Sequence, residues 1–405
     1  MTWRLAWRNL WRQPKRTLLT VGAMVFSNVL LVFMISMQVG MYGLMIDNGL
    51  KLFTGHLQIQ APDYLDNPKM RLTVADAAAL AERVRGLDGV NATARATAFA
   101  MAASEERTYG VSVMGVEPQY EPGVSSLPGL VREGLYLADS AAAEIVIGKV
   151  LARNLKLGVG DELTLFGSGL DGSFAAAIVT VVGIFDSGIP DVDRSIGVLP
   201  LRFFQETFFM GDAAHAVVIT AATLDDVPAA MLATETLVPA ELVLLDWNQL
   251  EPALRQSIQA DIGSSFFMYF ILVVLVAFSV VNTQLMSVLE RTREFGIVLA
   301  LGLEPARLGR LVLLESALMG LLGVLFGALL GGLLTLYFSL NGFAYPGMEE
   351  MSAQFNLPSA IHPAVTPLSL FAGPLMVFAF TLLASVWPAL RLRRLEPVAA
   401  MRAAG

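Results

Sequence analysis

Apolar residues along the 405-residue chain gather into four long runs and are sparse enough elsewhere to alternate with polar ones. The first run is TLLTVGAMVFSNVLLVFMISMQVGMYGL (Thr17 to Leu44) and the second SSFFMYFILVVLVAFSVVNTQLMSVL (Ser264 to Leu289). A third covers Leu311 to Leu340 and a fourth Leu368 to Leu390. Each exceeds the roughly 20 residues that a helix needs to cross about 30 Å of hydrocarbon, so the pattern predicts four transmembrane helices. The first run is too long for the apolar core of a cleaved signal peptide, and no A-x-A-like site closes it; a retained span is expected. The expected order is 1–16, an interfacial helix; 17–45, the first span; 46–262, a large extramembrane domain; 263–289, the second span. It continues with a 290–310 connection, a third span over 311–340, a short 341–367 loop, a fourth span over 368–390 and a 391–405 tail.

Between the first two spans the period changes from segment to segment. GHLQIQAP (Gly55 to Pro62) and YGVSVMGVEP (Tyr109 to Pro118) alternate as strands do. VADAAALAERVRGLDGV (Val74 to Val90) has helical spacing, a glycine stop and a strand-like continuation. EIVIGKVLARNLKLGVGDELTLFG reads as strand, short helix, a turn through Gly158 and Gly160, then strand, and Ala175 to Gly188 as a further strand. The mixture predicts an α+β domain inserted between helices 1 and 2 of an integral membrane protein.

Composition supports the apolar reading. The chain is 55% hydrophobic and 15% charged, with a mean hydropathy of +0.62, against roughly a quarter charged in an ordinary soluble domain. Charge then supplies a direction. Arg4, Arg8, Arg12, Lys15 and Arg16 precede the first span. Arg291, Arg293, Arg307 and Arg310 lie between spans two and three, and Arg391, Arg393, Arg394 and Arg402 follow span four. Basic residues in short loops mark the cytoplasmic side, so both termini and the second connection are expected there and the large domain in the periplasm of a bacterial inner membrane. Residues 46–262 hold 14 Lys and Arg against 28 Asp and Glu. That acidic surface excludes a nucleic-acid partner.

Several chemistries lack the residues they require. There is no cysteine, hence no disulfide or thiolate metal site, and His56, His215 and His362 form no ligand-spaced pair. No G-x-x-x-x-G-K-[ST] loop occurs. GSGLDG (Gly167 to Gly172) has the letters of a dinucleotide fingerprint, but SFAAAIVTVV after it reads as a strand, so a hairpin turn is expected. Asp186, Asp191 and Asp193 are read as solvated loop carboxylates without the spacing of an EF-hand. With no nucleophile–base pair in a recognisable setting, a non-catalytic chain without a cofactor or metal of its own is expected.

Three patterns carry mechanical rather than chemical information. Trp3, Trp7 and Trp11 recur every four positions beside Arg4, Arg8 and Arg12, an aromatic and a cationic stripe suited to a helix in the headgroup plane; Pro14 permits a bend after it. Gly323, Gly327 and Gly331 leave one face of span three without side chains, which favours close packing against a neighbouring span or a second permease. Glu315, early in the same span, is costly in lipid and is expected to pair with Arg310, Arg307 or another group at that rim, while Asn282, Thr283, Gln284 and Ser287 are expected to face protein. In ERTREFGIVLALG the charged Glu290, Arg291, Arg293 and Glu294 are followed by apolar Phe295, Ile297, Val298 and Leu301 at helical spacing. A solvated loop needs no such apolar run; a docking helix does.

ERTREFGIVLALG, the glycine-rich span after it and VWPALRLRRLEPVAAMR resemble the FtsX-type permease domain. The order of one span, a large external domain and three further spans is similar to that of the MacB-like, type VII (mechanotransmission) ABC transporters, which include the lipoprotein-releasing LolC and LolE permeases. REGLYL…EIVIGKVLARNLKLGVGDELTLFG…VVGIFDSG resembles their periplasmic domain. The resemblance covers nearly the whole chain. It implies that Glu290, Arg291, Thr292, Arg293, Glu294, Phe295 and Gly296 couple to a dimer of separate ATPase subunits, which would bind ATP and Mg. A second permease chain, identical or homologous, and membrane lipid are the other expected partners. The cargo implied is a lipoprotein or another lipidated molecule. A regulator of a cell-wall hydrolase, or an efflux permease with a periplasmic adaptor, would share the layout, and a periplasmic chaperone is a further implied partner.

Overall fold

The computed structural model describes residues 2–138, 141–348 and 360–392. Arg393, Arg394, Arg402 and most of the expected 391–405 tail therefore lie outside the described residues. Two compact units make up the described residues: a helical unit (2–42, 258–345, 360–392) and an α+β domain (43–257, 346–348).

The helical unit opens with α1 (Thr2–Leu10), which ends before Pro14 starts α2 (Pro14–Gly49). The last turn of α2 widens into a π-turn over Leu50–Thr54. After the domain come α10 (Pro252–Glu290), α11 (Thr292–Ala300), α12 (Pro305–Asn341) and α13 (Pro367–Arg391). Four of these, α2, α10, α12 and α13, are long and apolar enough to cross a membrane. The helices extend past the apolar runs: α10 begins eleven residues before 263, and α12 takes in Arg307 and Arg310, because nothing between Pro305 and Leu311 breaks a helix.

Packing of the four long helices centres on α2. Met24 and Leu31 share a buried cluster with Tyr269, Val273, Val276 and Val280 of α10 and Val377 of α13. The glycines of α12 lie against the same helix: a Cβ on Gly323 would come within 2.9 Å of Met24 Cβ, on Gly327 within 2.3 Å of Asn28 Cβ, and on Gly331 within 2.9 Å of Val32 Cβ. Of the two expected neighbours for this face, the structure supplies the first span of the same chain, and Asn28 Nδ2 donates to the Gly323 carbonyl at 2.9 Å.

In the domain, β1 (Leu57–Gln60), α3 (Ala77–Arg85), β2 (Val90–Ala103) and β3 (Thr108–Val116) come first. The short α4 (Glu121–Val124), β4 (Val131–Gly134), β5 (Glu144–Gly148), α5 (Lys149–Leu155), β6 (Glu162–Ser168) and β7 (Phe174–Phe185) follow. The chain continues through α6 (Pro190–Ser195), β8 (Ile196–Pro200), α7 (Leu201–Thr207), β9 (Ala216–Ala221), α8 (Val227–Glu235), β10 (Val243–Asp246) and α9 (Trp247–Leu250). The sheet order is β10-β1-β9-β2-β3-β8-β5-β7-β4, and β6 joins β7 to β2. The pairings β2–β3–β8–β5–β7–β6–β2 therefore close a ring. Only β3–β8 and β5–β7 are parallel.

β2 shows why the ring closes tightly. Ala92, Ala94, Ala96, Ala98, Ala100 and Ala102 occupy every second position and all are buried, so one face of the strand takes close contact from α3 and the neighbouring strands. GSGLDG forms the β6–β7 hairpin, with Ser168 opposite Phe174.

The aspartate cluster departs from expectation. Asp193 is buried, accepting from the Ser187 N–H at 2.9 Å and its Oγ at 2.6 Å. Asp186 pairs with Lys149 at 2.8 Å, and Asp191 with Arg194. Asp193 thus closes the loop from inside, while Asp191 faces solvent. Among the described residues no group of three or more His, Asp or Glu is placed to hold a metal ion.

Candidate functional site

At the arginine-rich end of the helical unit, α1, α2, α10, α11 and α12 converge on an ionic cluster. Arg12 reaches Glu294 at 2.9 Å, and Arg16 reaches Glu290 at 2.9 Å while also donating to the Thr283 carbonyl. Gln13 donates to Glu290 at 3.2 Å. Glu315 is buried and accepts from Asn9 Nδ2 at 2.7 Å and from Arg291 at 3.2 Å. Its partner is thus Arg291; Arg307 pairs instead with Glu304 at 3.3 Å. A polar cavity of about 270 Å³ lies among these residues, with Thr283, Gln284 and Ser287 in its wall. Asn282, the fourth of that group, is exposed.

The N-terminal stripe explains how the cluster is assembled. Ala6 and Leu10 of α1 are buried against Leu318 and Met319 of α12, with Val21 alongside. Trp3, Trp7 and Trp11 are 41–54% exposed on the other side, as are Arg4 and Arg8. Arg12 of the same series turns to Glu294. Between α1 and α2, Thr17 Oγ1 donates to the Leu10 carbonyl at 2.6 Å, fixing the bend at Pro14.

The expected coupling segment divides into an inner and an outer face. Phe295, Gly296 and Leu299 point inward; Phe295 and Leu299 join a cluster with Val288, Leu308, Val312 and Leu392. Thr292 Oγ1 donates to the Val288 carbonyl at 2.9 Å. Glu290, Arg291 and Glu294 are engaged by the chain itself. The outer face carries Arg293, exposed and without an ion-pair partner among the described residues, and Ile297, Val298 and Leu301, which are 46%, 37% and 82% exposed. Ile297, Val298 and Leu301 thus leave a compact apolar surface, flanked by charge, on the turn between two long helices.

One constellation went unread in the sequence. Tyr42 donates to Asp261 at 2.5 Å, Gln38 to Ser265 at 2.7 Å and Tyr269 to Gln38 at 2.9 Å, joining α2 to α10. Gln38 and Tyr42, and Asp261, Ser265 and Tyr269, recur at every fourth position. That spacing was the available signal.

Comparison with known proteins agrees with this architecture. The family model of the MacB-like periplasmic core domain matches residues 17–237, more than half of the chain. That of the FtsX-like permease C-terminal region matches residues 266–397. The chain belongs to this family of ABC-transporter permeases, with a MacB-like periplasmic α+β domain between its first and second membrane helices. It is 24% identical over 313 residues to the lipoprotein-releasing system transmembrane protein LolC of Xylella fastidiosa strain Temecula1, covering 73% of this chain and 74% of that one. It is 26% identical over 302 residues to LolE of Haemophilus influenzae, covering 71% of each. Among solved structures it is similar to the periplasmic region of MacB from Actinobacillus actinomycetemcomitans, with 11% identity, a TM-score of 0.37, and 53% of this chain and 97% of that one covered. It is also similar to the extracellular domain of the noncanonic ABC-type transporter YknZ, with 16% identity, a TM-score of 0.35, and 47% and 99% covered.

Proposed function

We propose that the chain is the permease subunit that converts ATP hydrolysis by a separate ATPase dimer into movement of its periplasmic domain, with a lipoprotein or another lipidated molecule as cargo. The observation that carries the reading is the outer face of α11, where Arg293, Ile297, Val298 and Leu301 are unoccupied by the chain's own side chains. ATP and Mg would belong to the partner, since this sequence has no phosphate-binding loop. Both termini and α11 would lie in the cytoplasm by the distribution of arginine. A second permease chain would complete the assembly. LolC and LolE, the relatives named above, support the lipidated cargo.

Glu290 and Glu294 act in this reading by holding α11 to α1 and α2 through Arg16 and Arg12, and Arg291 by anchoring it to Glu315. The partner is met by the apolar side. The test is ATP turnover of the complex purified with its ATPase. Leu301→Asp combined with Val298→Asp should abolish permease-stimulated turnover while the purified chain keeps its thermal stability. Unchanged stimulation would remove the docking assignment.

A further inference from the structure

A second surface of the helical unit has the dimensions and charge of a lipid site. Helices α12 and α13 touch closely at two levels. At one, a Cβ on Gly309 would lie 3.2 Å from the Ala389 carbonyl oxygen; at the other, a Cβ on Gly320 would lie 2.7 Å from Phe378 Cδ2. Between these levels the helices part and leave a groove of about 500 Å³, lined by Arg310, Leu313, Leu314, Ala317, Leu382, Leu383 and Val386.

Three properties of the groove point to one occupant. Six of its seven lining residues are aliphatic, so it offers nothing to a polar ligand below its rim. On α12 its lining runs from Arg310 to Ala317, roughly 10 Å at the helical rise, which lies within half of a hydrocarbon core about 30 Å thick. The groove therefore fits inside one leaflet. Its single cation stands one residue from the Gly309 contact, at the arginine-rich end. Arg310 is exposed and has no ion-pair partner among the described residues, while its neighbour Arg307 is committed to Glu304 at 3.3 Å. We propose that this groove holds an acyl chain of an anionic phospholipid whose headgroup phosphate pairs with Arg310. A zwitterionic lipid would fill the same groove but carries no net charge to balance the guanidinium, so the preference for anionic lipid is the distinguishing expectation.

The inference requires that α12 and α13 cross a bilayer and is independent of any ATPase partner. The test is native mass spectrometry of the full chain in detergent, titrated with phosphatidylglycerol and phosphatidylcholine of matched acyl chains. Phosphatidylglycerol should be retained about fivefold over phosphatidylcholine, the factor one basic residue supplies at an anionic surface. Arg310→Gln should bring the two lipids level, Arg307→Gln should leave the preference intact, and Ala317→Phe should lower retention of both. Equal retention by the parent chain, or a preference that survives Arg310→Gln, would overturn the proposal. So would an Ala317→Phe variant that loses oligomer mass but no lipid, since the groove would then be a contact between copies of the chain.

Discussion

Gly327 of α12 has no side chain because Asn28 of α2 already occupies the space one would need, 2.3 Å from the position of a Cβ. Gly327→Ala should accordingly cost about 1–3 kcal/mol through overpacking, read as a lowered melting temperature of the full chain in detergent. Gly22→Ala is the control: nothing lies within 4 Å of its Cβ position, so the melting temperature should hold or rise. Equal losses would show that the glycine stripe has no packing role. Two histidines of the domain, His56 and His215, are constrained just as closely. The Nδ1 of His56 accepts from the Ala221 N–H at 3.0 Å, and that of His215 from the Thr97 N–H at 2.9 Å. Each ring must therefore be neutral with its proton on Nε2, which for His215 faces the Met70 carbonyl at 3.1 Å. Burial is the main cause that lowers both imidazoles below the ordinary histidine range; for His56 the Asp47 carboxylate pulls weakly upward. A lowered histidine contributes stability that is complete above its unfolded value of about 6.5 and is lost as pH falls through the folded one. The full chain should thus melt at lower temperature at pH 5 than at pH 7.5, and His56→Gln with His215→Gln should flatten that decline. An undiminished slope in the double variant would assign the effect elsewhere. Asp186 does not confuse the window. Its carboxyl is held low chiefly by the hydrogen bond from Lys149, so its contribution is lost only as pH falls below the ordinary aspartate range, near 4.

At the scale of elements, the turn at Lys51–Phe53 is braced from outside its own helix. The last turn of a helix leaves carbonyls without partners, and here three in succession are taken up. Ser126 N–H donates to the Lys51 carbonyl at 2.8 Å, Ser125 Oγ to that of Leu52 at 2.9 Å, and the Arg95 guanidinium to that of Phe53. Arg95 also forms a buried ion pair with Glu121. Arg95→Met should leave Glu121 buried and unpaired, costing about 3–5 kcal/mol; Arg95→Met with Glu121→Leu should recover much of the loss. A double variant no more stable than the single one would mean that the carbonyl of Phe53, and not the pair, needs the arginine. None of this joint was legible beforehand, because its partners are 26 to 75 residues apart and single arginines and serines have no period. What was legible had one. The runs gave the spans, alternation gave β1, β3 and β7, and the alanines of β2 sit where strand period places them. Burial alters such patterns: β9, AVVITA, is buried at all six positions and so shows no alternation. Of the aspartates near α6, Asp191 is solvated as expected but Asp193 is not, since only the fold reveals that Ser187 closes around it.

For the whole molecule, charge asymmetry is the one feature that converts a list of elements into a direction. The domain segment 46–262 is acidic by 14 charges, while the remaining residues hold 13 of the 27 basic side chains and only 7 of the 35 acidic ones. Arginines near span ends resist translocation, so the end that gathers Arg12, Arg16, Arg291 and Arg293 is expected in the cytoplasm, with the hairpin at Ser168 on the opposite side. The candidate site was readable to the same depth: the ERTREFG segment stands out by its mixture of charge and apolar spacing. Its division into a charged face held by Arg12 and Arg16 and an apolar face left open depends on partners 274 and 282 residues earlier in the chain. The absence of cysteine makes the direction directly measurable. In intact cells from which the outer barrier has been removed, Ser168→Cys should react with a membrane-impermeant maleimide, because Ser168 is exposed at the end of β6. Arg293→Cys, equally exposed on α11, should react only after lysis. The reverse labelling would place the acidic domain in the cytoplasm and turn α11 away from any ATPase. Labelling of both before lysis would mean that α10, the candidate span between them, does not cross the bilayer. The predicted pattern requires α10, the candidate span between the two sites, to separate them, and it tests the orientation on which the coupling reading depends without needing the partner subunits at all.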